Sequence, residues 1–157
     1  MLTGVHTVDQ GTLKTLYRFS IDAGGNLMVF GNAGTGKTEM AIQAAAEKNR
    51  EQVYLNLSVL EAPDLMGLPM IDQETKLSEY ATPKFLPIKG TKPQGVVLIV
   101  DEIDKAKPEL QNPMLELFQF RSINGRPLDI HSIIATGNLP EEGAFSLPVS
   151  HALTNRC

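Results

Sequence analysis

The 157-residue sequence contains no tryptophan and a single cysteine, Cys157. One thiol cannot close an internal disulfide, so the fold has to rest on a packed core, as in proteins of a reducing compartment. Its three histidines, His6, His131 and His151, lack ligand spacing, which argues against a zinc centre. No basic run is present and the formal net charge is -4, so no electrostatic footprint for nucleic acid is visible. The longest apolar stretch, residues 96–100, is far shorter than the roughly 20 residues a membrane helix needs. An N-terminal basic region followed by an apolar segment, the mark of an export signal, is missing as well. These absences predict a soluble cytoplasmic chain without a membrane or nucleic-acid partner. With 42% hydrophobic and 20% charged residues, the composition suits one globular domain over residues 1–157.

What the sequence does have is a glycine-rich loop. Gly31-Asn32-Ala33-Gly34-Thr35-Gly36-Lys37-Thr38 fits G-x-x-x-x-G-K-[ST] without a mismatch, and residues 27–30 before it read as a short buried strand. In such a loop glycines permit backbone angles that side chains disfavour, so that successive N–H groups can converge on phosphate oxygens. Lys37 would reach the β- and γ-phosphates, and Thr38 would ligate Mg²⁺. A helix predicted over residues 37–48 adds the partial positive charge of its N-terminus to the same place.

The remaining segments alternate as an α/β chain. Residues 1–24 form a lead-in closed by the turn at Gly24-Gly25, with Val5 and His6 as loose candidates to lie near a nucleotide base. Met40, Ala41, Ala44 and Ala45 recur at helical spacing, and residues 53–57 read as a second strand, so a parallel βαβ unit is expected. Residues 58–95 are broken by five prolines, and only a helical turn at 62–66 and a small hairpin at 76–87 are drawn there. Val96-Val97-Leu98-Ile99-Val100 suits a central parallel strand buried on both faces.

That strand ends in Asp101-Glu102-Ile103-Asp104, at the edge of an open α/β sheet where ligands bind. Asp101 can hold Mg²⁺ directly or through its waters, and Glu102 can orient and deprotonate an attacking water. A core helix follows at 108–120, then a hairpin at 122–130 with Asn124-Gly125 at a tip that could project. A strand at 132–136 ends in Gly137-Asn138, whose amide could reach the γ-phosphate or the water. A short helix at 149–155 leads to Arg156.

Assembled, these residues resemble the AAA+ ATPases, specifically the branch containing MoxR, the CbbQ and NorQ activators and midasin. The resemblance runs from about residue 25 to the end. It includes Gly31 to Thr38 as Walker A, Val96 to Glu102 as Walker B, and Ala135-Thr136-Gly137-Asn138 at the sensor 1 position. Pro63-Asp64-Leu65, Leu147-Pro148 and Ala152-Leu153-Thr154-Asn155-Arg156 select the branch. The resemblance implies an αβα sandwich around a mainly parallel sheet, with ATP and Mg²⁺ as cofactors. Glu102 would be the catalytic base, Asn138 the water-aligning sensor, and Lys37 the phosphate-binding lysine. Arg156 would be the arginine finger that acts on a neighbouring subunit's nucleotide. It also implies a homo-oligomeric ring, hexameric in the family, and a protein client, often one with a von Willebrand A domain. The insertion and the 122–130 hairpin would be the projecting elements, with Tyr80 and Phe85 as contact candidates or as packing for the hairpin's own base.

The sequence stops one residue after Arg156, where family members continue into a fifth strand and a helical lid. A core without these would leave the strand at 27–30 on a sheet edge. Two other functions therefore stay open: a nucleotide-binding module that turns nothing over, and a P-loop kinase. The adjacency of Glu102 to Asp101 favours water as the nucleophile over a kinase acceptor.

Overall fold

The computed structural model describes residues 6–139. Its centre is a four-stranded parallel sheet in the order β1-β8-β5-β2, formed by β1 (Asn26–Gly31), β2 (Gln52–Asn56), β5 (Val96–Asp101) and β8 (Ile130–Asn138). Helices α1 (Gln10–Ala23) and α2 (Lys37–Glu47) cover one face, with Leu13, Tyr17, Met40 and Ala41 packed on Val97, Ile99 and Ile134. The short α3 (Ala62–Met66) and α4 (Gln111–Phe120) help cover the other, where Leu65, Met114 and Leu117 join Leu98, Val100 and Ile133. The result is the expected αβα sandwich.

β5 lies between β8 and β2, and Val96 to Val100 are all fully buried. β-branched side chains fit such a strand because neighbours press on both faces. Among the described residues β1 has a strand on one side only, β8, and each of its six residues is half-buried. The sheet-edge position expected for residues 27–30 is the one observed.

The lead-in, closed as expected by a turn at Gly24, is largely helical. Fourteen of its residues form α1, capped by Asp9 accepting from the Thr12 N–H at 2.7 Å and closed by Gly24 in a left-handed conformation. Leu13, Tyr17, Ser20 and Ile21 make a narrow buried stripe at helical spacing. With so few apolar positions among polar ones, the periodicity is weak in the sequence. His6 is exposed, and Val5 lies outside the described residues.

In the insertion, α3 spans the 62–66 turn, but the hairpin is displaced from 76–87. It pairs β3 (Pro69–Ile71) with β4 (Ser78–Tyr80). Asp72 Oδ1 organises the turn, accepting the Glu74 and Thr75 N–H groups at 2.8 Å each, while Pro83 and Pro87 have no ladder donor to offer downstream. Gly67 is required where α3 ends, since a Cβ there would lie 1.8 Å from the Ala81 carbonyl oxygen.

The hairpin of β6 (Ser122–Ile123) and β7 (Arg126–Pro127) does not project freely. Glu116 of α4 accepts from Ser122 Oγ and the Gly125 N–H at 2.7 Å each, and Asn124 Nδ2 donates to the Met66 carbonyl at 2.8 Å. Ile130 begins β8 instead of closing this hairpin. The helix expected at 149–155 and Arg156 lie outside the described residues.

Candidate functional site

Parallel register explains why distant residues meet at one end of the sheet. Gly31, at the end of β1, sits opposite Asn138, at the end of β8. Val100 pairs with Ala135, which brings Asp101 beside Thr136, and Asn56 pairs with Asp101 from the other side. The strand ends thus assemble an open cleft of about 500 Å³ lined by, among others, Lys37, Thr38, Tyr54, Asp101, Glu102 and Asn138.

The loop from Gly31 to Thr38 forms one wall. Gly34 and Gly36 have φ of 73° and 76°, in the left-handed region that side chains rarely adopt, and a Cβ at either would touch nothing. Conformation, not space, requires glycine there. Gly36 is also the N-cap of α2 and supplies no side chain to the first turn, so the N–H groups there are left for a ligand. Asn32, Ala33 and Thr35 complete the loop, with Thr35 Oγ1 donating to the Asn32 carbonyl at 2.9 Å.

Lys37 is 9% exposed, and its ammonium folds back over the loop. Nζ donates to the carbonyls of Gly31 at 2.9 Å and Asn32 at 2.8 Å, and reaches Asn138 Oδ1 at 3.4 Å. Burial pushes its pKa below the ordinary lysine value, while Asp101 and Asp104 act in the opposite sense. The buried Tyr17 of α1 donates to the Lys37 carbonyl at 3.1 Å, which ties the start of α2 to the covering helix.

Asp101 is the most heavily bonded carboxylate of the cleft. Its Oδ1 accepts from Thr136 Oγ1 at 2.6 Å and from the Glu102 N–H at 2.9 Å, and its Oδ2 accepts from Tyr54 Oη at 2.9 Å. Burial alone would raise its pKa, but the hydrogen bonds from Thr136, Tyr54, Thr38 and the Glu102 backbone outweigh that and hold it below the usual carboxylate value. Thr38 Oγ1 lies 3.3 Å from Thr136 Oγ1, so the loop threonine and the carboxylate share one polar cluster. Burial, together with the bond to Asp101, raises the Tyr54 phenol and keeps it a donor at neutral pH.

Glu102 follows with φ of 54°, a left-handed conformation unusual for a residue with a side chain. Such geometry costs on the order of 1–3 kcal/mol and is concentrated at functional sites. The Glu102 carboxylate pairs with Lys105, which with Ser58 holds it below the ordinary value and therefore ionised. Two residues on, the buried Asp104 accepts the Asn138 N–H at 2.9 Å and so fixes the end of β8.

A divalent cation fits this donor set. The Thr38 hydroxyl and the Asp101 carboxylate are hard oxygen donors, and one or two protein carboxylates with substrate phosphates is how Mg²⁺ is usually held. No group of three or more His, Cys, Asp or Glu side chains arranged for a metal occurs among the described residues. The structure brings Lys37, Thr38, Asp101, Glu102 and Asn138 together; Arg156 lies outside the described residues. Three side chains were not singled out by sequence as site residues: Tyr54, Thr136 and Asp104. For Tyr54 and Thr136 the only signal is position near the end of a parallel strand, and their contacts need the register to be known.

Residues 22–144 match the family described as AAA domain (Cdc48 subfamily). The chain belongs to the AAA domain family. A gas vesicle ATPase, GvpN of Ancylobacter aquaticus, is 31% identical over 117 residues, covering 66% of this chain and 33% of that protein. An uncharacterized Staphylococcus saprophyticus protein is 30% identical over 142 residues, covering 83% of this chain and 52% of its own length. The AAA chain thus spans about half, or less, of the length of these relatives. In three dimensions NtrX of Brucella abortus, solved in complex with ADP, superposes with a TM-score of 0.63 at 19% identity, over 96% of this chain and 35% of that one. That likeness supports the AAA fold. No helix among the described residues is long and apolar enough to cross a membrane.

Proposed function

We propose that the single domain read over residues 1–157 is the ATP-hydrolysing core of a ring-forming AAA+ machine of the MoxR, CbbQ, NorQ and midasin branch. The observation that carries this reading is the convergence of Lys37, Thr38, Asp101, Glu102 and Asn138 on one cleft. The N–H groups of the loop and of the start of α2 would receive phosphate oxygens, and Lys37 would exchange its carbonyl partners for the β- and γ-phosphates. Glu102 takes a proton from the attacking water as its oxygen bonds to the γ-phosphorus, while the bond to the bridging oxygen breaks and ADP leaves. Asn138 aligns that water. Magnesium, when bound by Thr38 and Asp101, neutralises charge on the phosphate oxygens.

Arg156 is assigned to the nucleotide of a neighbouring subunit, where a guanidinium stabilises transition-state charge and makes turnover depend on assembly. The ring, hexameric by resemblance, works in the cytoplasm on a protein client, with a von Willebrand A domain as the leading candidate. The β3–β4 hairpin supports a client role, because Met70, Ile71, Leu77 and Tyr80 are all exposed on or beside it, as is Phe85 further along the insertion.

The test is ATP hydrolysis measured against protein concentration, with Glu102→Gln and Arg156→Ala beside the parent. The reading predicts a specific rate that rises with concentration and falls by at least about a hundredfold in either variant. A concentration-independent rate that ignores Arg156→Ala would remove the intersubunit finger. Nucleotide binding without turnover would reduce the domain to a binding module, and phosphate transfer to an added acceptor would make it a kinase.

A further inference from the structure

Tyr54 is an exposed aromatic that belongs to neither hydrophobic cluster, so no core requirement explains its position. It lies on β2, which among the described residues pairs only with β5, and it is 47% exposed, opposite Ile99 in register. From there its hydroxyl reaches forward along the sheet to Asp101 Oδ2, two register positions beyond Ile99, at 2.9 Å. The ring lines the same cleft as Thr38 and Asp101.

The hydrogen-bond inventory around Asp101 gives this contact a chemical meaning. Oδ1 is engaged by Thr136 and by the Glu102 N–H, whereas Oδ2 is engaged by Tyr54. A phenol has one proton to donate, and Tyr54 gives it to the carboxylate; its oxygen remains an acceptor, facing the Asn56 side chain on one side and with capacity for one further donor. Water bound to a divalent cation presents only donors to its surroundings, and it needs acceptors fixed in place. Resting on the ATPase reading above, we propose that Tyr54 is a positioning residue for the cation side of the cleft: its hydroxyl holds Asp101 in orientation and accepts from cation-bound water. It extends the metal-facing set from Thr38 and Asp101 to a third oxygen on a different strand.

A phenylalanine keeps the ring and removes only the oxygen, so Tyr54→Phe is the informative change. Binding of a fluorescent ATP analogue to the full chain is measured in EDTA and across a magnesium chloride titration. The proposal predicts nucleotide affinity in EDTA within about twofold of the parent, and a magnesium concentration for half-maximal effect raised about tenfold to a hundredfold, the loss of one hydrogen bond to a charged group. An unchanged or lowered magnesium requirement overturns it, as does an equal loss of affinity with and without magnesium, which would mean a merely structural role. A parent whose nucleotide binding ignores magnesium would overturn the ATPase reading, and this inference with it. A magnesium effect in the parent that persists unaltered in the variant overturns this inference alone.

A second readout does not use affinity. The chain has three tyrosines and no tryptophan, so 3-fluorotyrosine labelling gives three ¹⁹F resonances, and the one lost in Tyr54→Phe belongs to Tyr54. That resonance shifts when magnesium is added to the nucleotide-bound chain, whereas that of Tyr80, on the β3–β4 hairpin and outside the cleft, stays in place. A Tyr54 resonance insensitive to magnesium contradicts the proposal.

Discussion

β1 and β5 each end in half of the cleft, yet they are supported differently. β5 ends in Asp101, with Glu102 directly after it, has a strand on both sides, and buries Val96 to Val100 completely. β1 carries the loop from Gly31 to Thr38 and, among the described residues, pairs only with β8, with none of its positions fully buried. The acidic half is thus built on a core element paired on both sides, and the glycine-loop half on a less constrained one. What joins them is β8, whose Asn138 faces Gly31 in register and whose Thr136 donates to Asp101. Side-chain bonds add to the join, since the Asp104 carboxylate beyond β5 accepts the Asn138 N–H.

The largest test of this contrast is truncation of equivalent apolar residues on one face. Ile99 and Val29 both pack on the side of α1 and α2, Ile99 fully buried and Val29 half-buried. Ile99→Ala is expected to cost roughly 2–5 kcal/mol of unfolding free energy. Val29→Ala should cost roughly half as much or less, because fewer methyls are lost from a partly exposed site. Urea unfolding of both variants measures the difference, and equal costs would erase the distinction between the two strands.

A smaller effect is expected where the two halves are joined. Asp104→Ala leaves the Asn138 N–H without its acceptor, at a cost of roughly 1–3 kcal/mol, while Asp104→Asn keeps an oxygen in place and should restore most of it. If β8 couples the halves, the alanine variant also weakens ATP analogue binding, because Asn138 faces Lys37 and the start of the loop. Stability lost with binding untouched would show that Asp104 serves the core only.

The parts legible in the sequence were those whose chemistry is local. The glycines at 34 and 36 announce a backbone conformation, and the apolar run at 96–100 announces a strand buried on both faces, whatever lies around them. Asp101 and Glu102 follow directly from that strand's end. The contacts of Tyr54, Thr136 and Asp104 were not legible, since they come from parallel register across strands far apart in sequence. α1 was missed because only Leu13, Tyr17, Ser20 and Ile21 of its 14 residues are buried, too sparse a stripe to stand out. The β3–β4 hairpin was displaced because Asp72, not a glycine-containing dipeptide, builds its turn. The Asn124-Gly125 tip was recognised, but its tether to Glu116 was not, because the bond reaches back across the end of α4.

The most direct test of the account is amide hydrogen exchange, followed by mass spectrometry, with and without a non-hydrolysable ATP analogue and magnesium. In the free chain, amides of β1 should exchange faster than those of β5. On adding the analogue, protection should rise in β1, in the loop from Gly31 to Thr38 and in the first turn of α2, and stay unchanged in the already slow β5. Protection gained without any change in the loop, or β1 as slow as β5 in the free chain, would contradict it.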